Sequence, residues 1–144
     1  MFRRVTLLAS LALPLLAVAA TPTVNNCTPA TATDMTDQSS VGVQFGGALG
    51  LTYSTPCLHV MPDTTLMFSG AFSTHPLVGG QIVGTTKVPD SSSPVPATGT
   101  GSAKNFVLHA QGLFGYYCNS HGPVGMKGAI LVGQETVFAD AFGD

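Results

Sequence analysis

The chain has 144 residues, 44% of them hydrophobic and only 8% charged, with five Lys and Arg against seven Asp and Glu for a formal net charge of −2. So lysine-poor and slightly acidic a chain cannot neutralise a run of phosphates, which excludes nucleic acid as an expected partner. Its length supplies one domain and one core, and its cysteine count of three means that at least one cysteine does something other than pair within the chain.

Residues 1–20, MFRRVTLLASLALPLLAVAA, read as a secretory signal peptide: Arg3 and Arg4 lead, Leu7 to Val18 form an apolar run, and Ala17-Val18-Ala19 is a small-residue cleavage site. The run is shorter than the roughly 20 residues of a membrane span. Cys27 lies too far beyond it, after threonines, asparagines and a proline, to be a lipid-modified cysteine. The expectation is an exported protein, periplasmic or extracellular, soluble after cleavage and without stable membrane insertion. Loss of the leader leaves three lysines against seven carboxylates, a formal charge of −4.

Residues 21–40 are rich in Thr, Asn, Ser and Pro and read as an irregular arm tied down at Cys27, ahead of a single domain over 41–144. Export permits disulfides. Cys27 and Cys57 are the natural pair, because Cys118 sits in a very different neighbourhood; closing that loop of about 30 residues stabilises the fold by about 3 to 4 kcal/mol on the loop-entropy estimate.

Short strands are expected at Val41 to Phe45, within Leu51 to Val60, and at Thr64 to Phe68, with Met61-Pro62-Asp63 as a turn and Gly70 as a stop. Phe72 to Gly84 carries His75 and Pro76. Pro89 to Gly101, PDSSSPVPATGTG, suits a surface excursion within the domain, since neither side of it is large enough to fold alone. Further strands are expected at Ser102 to His109, at Leu113 to Cys118, and at Ala129 to Val132, the last continuing into Thr136 to Phe138. Beyond the leader no long window repeats apolar residues at helical spacing free of glycine and proline. Seven or eight short strands with this loop spacing predict an all-β sandwich or barrel.

The chemistry concentrates in YYCNSHGPVGMKG, which sets Cys118, His121 and Met126 in the order C-x-x-H-x-x-x-x-M at the mouth of a strand. A thiolate, an imidazole and a thioether in one loop make a soft donor set, and soft donors favour copper. His75 is the best second imidazole, completing a His₂Cys set with a weak axial Met. His59 and His109 read as surface or hydrogen-bonded histidines. Zinc also accepts thiolate and imidazole, but methionine is a poor zinc ligand.

At these residues the chain resembles the plastocyanin-like cupredoxins, the blue copper proteins. Tyr116, the C-x-x-H-x-x-x-x-M loop and the glycine-containing return to Val132 match their C-terminal motif. His75 precedes Cys118 by 43 residues, close to the family's interval. The resemblance spans roughly Cys57 to Val132 and implies a cupredoxin-like Greek-key β-sandwich with one mononuclear type 1 copper on His75, Cys118, His121 and Met126. It implies no catalysis, but Cu(I)/Cu(II) cycling between redox partner proteins. His121 becomes the partly exposed electron port, Leu77, Pro123 and Val124 a docking rim, and His75 a buried imidazole oriented by an acceptor. Pro76 departs from the family's asparagine and has no N–H to give the cysteine sulfur. A monomer is the default for a small mobile carrier. The alternative is an exported copper binder that buffers or delivers the metal; extended Met and His tracts, expected of a loosely held store, are absent from the sequence.

Overall fold

A computed structural model describes residues 20–134. The expected signal peptide, up to residue 19, and the expected strand extension at Thr136 to Phe138 lie outside the described residues.

Nine strands form within that span: β1 (Thr33–Asp34), β2 (Ser40–Gln44), β3 (Cys57–Val60), β4 (Thr64–Ser69), β5 (Leu77–Val83), β6 (Thr86–Pro89), β7 (Ala103–Leu108), β8 (Gly112–Cys118) and β9 (Lys127–Val132). The helical pieces among the described residues are 3-10 turns at Pro29–Thr31, Gly47–Leu49 and Gly122–Val124, and no helix there is long and apolar enough to cross a membrane. Six strands form one sheet in the order β1-β3-β9-β8-β5-β6, and three form the other in the order β2-β4-β7. Both sheets are mixed: β1, β3 and β9 run parallel, as do β2 and β4, while the remaining neighbours are antiparallel. The expected all-β class holds, as a sandwich of two mixed sheets consistent with the cupredoxin Greek-key fold.

Alternation in the sequence decides which face of each strand meets the core. Val41 and Val43 of β2, Leu66 and Phe68 of β4, and Leu58 and Val60 of β3 point inward and are buried, meeting Tyr116 of β8 and Ile130 and Val132 of β9 in one cluster. The central strand β9 does not alternate, because both its faces are covered: Ala129 and Leu131 on the outer face are also fully buried.

Two local expectations are corrected. In the stretch Leu51 to Val60 only Cys57–Val60 is a strand; Tyr53 makes a single bridge to Phe45 and its side chain enters the core. Pro89, expected to open the surface excursion, instead ends β6, and it is tolerated there because β6 is an exposed edge that needs no donor from it.

The arm is mostly irregular but is built into the sandwich. β1 adds to the sheet edge in register with β3, pairing Asp34 with His59. Cys27 bonds Cys57 with Cα atoms 5.4 Å apart, as expected. Replacing both cysteines with serine is expected to cost about 3 kcal/mol, read as a lower denaturation midpoint. Asn25 carries the rest of the attachment. Its side-chain NH₂ donates to the carbonyls of Gly80 (3.2 Å), Tyr116 (3.0 Å) and Gly128 (2.8 Å), and its oxygen accepts from the Ile82 N–H (2.8 Å). One buried amide thus ties the arm to β5, β8 and β9. Gly115 makes room for it, since a side chain there would collide with the Gly80 carbonyl, Val24 and the Asn25 amide.

Candidate metal centre

Strand register brings the site together. Leu77, the first residue of β5, pairs with Cys118, the last of β8, so His75 enters at the end of the sheet where Cys118 stands. The Asn119 N–H donates to the Pro76 carbonyl (2.7 Å) and locks the two segments side by side. Beyond Cys118 the chain folds back at once. The N–H groups of Val124 and Met126 donate to the His121 carbonyl (both 3.1 Å), and the Cys118 N–H donates to the Met126 carbonyl (2.9 Å). Gly125 takes φ +121°, a conformation that favours glycine, and Gly122 is packed so closely on Ile82 and Tyr117 that a side chain would displace them.

The result is a compact triangle of donors. His75 Nδ1 and His121 Nδ1 are 3.2 Å apart, and Cys118 Sγ lies 3.8 Å from the first and 3.6 Å from the second. The point equidistant from the three atoms is about 2.1 Å from each, which is metal-to-ligand bonding distance for imidazole nitrogen and close to it for thiolate. Among the described residues this is the group of His, Cys, Asp and Glu side chains that converges to metal-holding distance. The three residues fit one small, trigonally held ion.

Burial grades the triangle. Cys118 is fully buried, His75 is 8% exposed, and His121 is half-buried at the surface. Desolvation, and secondarily the neighbouring His121, lower the pKa of His75 and favour the neutral ring whose lone pair a metal requires. Met126 is fully buried in the same apolar cluster as Cys118 and is held by the backbone bonds that close the loop.

His75 is oriented by packing. No described residue accepts a hydrogen bond from its Nε2; instead Phe45 meets the ring edge-on at a centroid distance of 6.1 Å, and Gly46 lies against its Cδ2–Nε2 edge. A Cβ at Gly46 would stand 3.2 Å from Cδ2, on a backbone with φ +73°. Gly46→Ala is therefore expected to tilt His75 and weaken metal binding about tenfold, within the range for residues that orient a ligand, as measured by competition with a chelator. Nothing in the sequence marks Phe45 and Gly46, which precede His75 by some thirty residues.

The other histidines stand apart from the site. His59 Nε2–H donates to the Gly133 carbonyl at 2.6 Å, and His109 Nδ1 meets Asp63 at 2.7 Å, both side chains of that pair being 77% exposed. Of the expected docking rim, Leu77 is corrected: it is 1% exposed because its side chain enters the core opposite Cys118. Val124 is 72% exposed and Pro123 half-buried beside His121.

No protein-family model matches the chain, and no curated protein does. Among solved structures it is similar to a Cu(I) form of an amicyanin variant, at 19% identity and TM-score 0.44 over 65% of this chain and 82% of that one. An oxidised amicyanin variant aligns at 18% identity and TM-score 0.44 over 78% and 91% of the two chains, and another oxidised variant at 20% and 0.44 over 65% and 82%.

Proposed function

We propose that the chain is a non-enzymatic, mononuclear copper protein that carries single electrons between redox partner proteins, with His75, Cys118, His121 and Met126 as its ligands. The observation that carries this reading is the triangle of two imidazole nitrogens and one thiolate sulfur, each about one bond length from a common centre. Two imidazoles and a thiolate in trigonal array, with Met126 buried in the same cluster as Cys118, suit a type 1 copper site better than a structural zinc site.

Bound copper supplies the one-electron couple. The protein's own part is to hold the donors still. Cys118 is fixed from both sides, by the β5–β8 pairing and by its N–H bond to Met126, and His75 is wedged by Phe45 and Gly46. Donors that cannot move much between oxidation states keep the reorganisation accompanying transfer small. His121 is the ligand that reaches the surface, beside the exposed Val124, and is the assigned route for the electron. The leader pattern supports an exported carrier, and a monomer is the state the reading assigns to it.

The test is a visible absorption spectrum of the protein with Cu(II) added, repeated after ascorbate and after reoxidation. An intense band near roughly 600 nm that bleaches and returns supports the reading. A colourless protein with bound metal overturns it in favour of zinc or Cu(I) handling.

A further inference from the structure

The end of the sandwich opposite the ligand triangle holds a second group of metal-ligating side chains. His59, Met61, Asp34, Thr36 and Gln134 are among the residues lining one cavity of about 700 Å³. Strand pairing assembles it. Asp34 of β1 is the register partner of His59 in β3, so the two side chains stand beside one another on one face of the sheet. Met61 follows β3 directly and lies two residues beyond His59, and Gln134 lies just past the end of β9. Neither His59 nor Met61 belongs to the apolar core. Both are half-buried, while Asp34 and Gln134 are exposed, so the cavity opens to solvent.

Each donor is held in place by a neighbour. The His59 ring gives its Nε2–H to the Gly133 carbonyl at 2.6 Å. A carbonyl only accepts, so in the neutral ring the lone pair lies on Nδ1; a ring N–H tied to a backbone carbonyl is the usual support of a metal-ligating histidine. Met61 Sδ accepts from the Gln134 side-chain NH₂ at 3.8 Å, which fixes the thioether at the cavity wall. Asp34 Oδ1 accepts from the Thr36 N–H (3.0 Å) and the Thr36 hydroxyl (2.7 Å). Those two bonds, and to a smaller extent the nearby His59, lower the Asp34 pKa, so its carboxylate is ionised at neutral pH.

We infer that this cavity is a second, exchangeable Cu(I) site, with His59 Nδ1, Met61 Sδ and an Asp34 carboxylate oxygen as its donors. A thioether selects a soft ion, and imidazole suits copper. With no thiolate and one hard oxygen donor at an open position, it holds copper loosely. The six residues of β9, Lys127 to Val132, separate Met126 from Gly133 by roughly 20 Å at the ordinary strand rise. The cavity and the triangle therefore share no ligand and fill independently.

The experiment titrates the protein, its methionine methyl groups labelled with carbon-13, with Cu(I) under anaerobic conditions, combining NMR with competition against a chromophoric Cu(I) chelator. Two Cu(I) ions per chain are expected, and the Met61 methyl resonance moves with the weaker one. Met61→Leu keeps the side-chain volume and is expected to weaken that ion's binding by more than about tenfold. His59→Gln is expected to do the same, whereas His109→Gln, whose histidine is paired with Asp63, leaves it unchanged. The inference is overturned if the Met61 methyl stays still through the second equivalent, or if either Met61→Leu or His59→Gln binds both ions as wild type does. It is overturned equally if the methyl of Met67, 37% exposed on the other sheet, moves as far as that of Met61, since copper is then collecting on accessible thioethers at large. Failure of the proposed copper centre looks different: the Met126 methyl stays still and the protein is colourless with Cu(II), whatever Met61 does.

Discussion

Cys118→Ser is expected to abolish the intense visible band of the Cu(II) protein and to weaken copper binding by more than about 100-fold, the upper range for losing a residue that merely supports a ligand. Serine oxygen is a poor, protonated donor, whereas in the proposed site the sulfur supplies both charge and covalency, and the hydroxyl is left buried at a fully enclosed position. His109→Gln is the control, since His109 lies exposed against Asp63 far from the triangle, and its spectrum should match wild type. On the proposed ligand set, Met126→Leu should keep the intense visible band while shifting the potential, because an axial thioether binds weakly. A Cys118→Ser protein that retains the band would remove the thiolate from the proposed ligand set.

Asn25→Ala carries the largest expected effect on folding, a loss of about 3 to 5 kcal/mol measured by denaturant unfolding. The Ile82 N–H loses its acceptor and the carbonyls of Gly80, Tyr116 and Gly128 lose a shared donor, all at a buried position. Asn25→Asp adds a pH dependence whose sign follows from the surroundings. A carboxylate there faces three carbonyl oxygens, so the folded state favours the protonated form and lifts the pKa above the roughly 3.9 of an unfolded Asp. The penalty is then smallest below that value and grows as pH rises through the folded pKa. The stability gap to wild type should be narrower at about pH 4 than at pH 7; a gap that widens on acidification would contradict this account.

The two variants probe levels that differ in how visible they are in the sequence. Cys118, His121 and Met126 sit within nine residues, so their chemistry is local and a single loop announces it. The inward faces of β2 and β4 are equally legible, because a sheet with one face on the core imposes a period of two on its residues. The pairing of Cys27 with Cys57 was set by count and neighbourhood alone.

Other features exist only once the strands are paired. Register between Leu77 and Cys118 is what carries His75 to the triangle and turns Leu77 inward, and register is a property of two segments, not of one. Phe45 and Gly46 hold His75 through contacts that no local pattern encodes. Asn25 looks like one more polar residue in a polar arm, yet it fills the hydrogen-bonding gap among three strands. Tyr53 lies in a stretch whose strand reading fails, and its burial follows only from the packed core. Composition and local spacing determined the β class, the cysteine pair and the donor types, because those depend on residues near one another in the chain. Tertiary structure decided how the donors converge and what supports them, because distances across the sandwich arise from strand pairing and close packing.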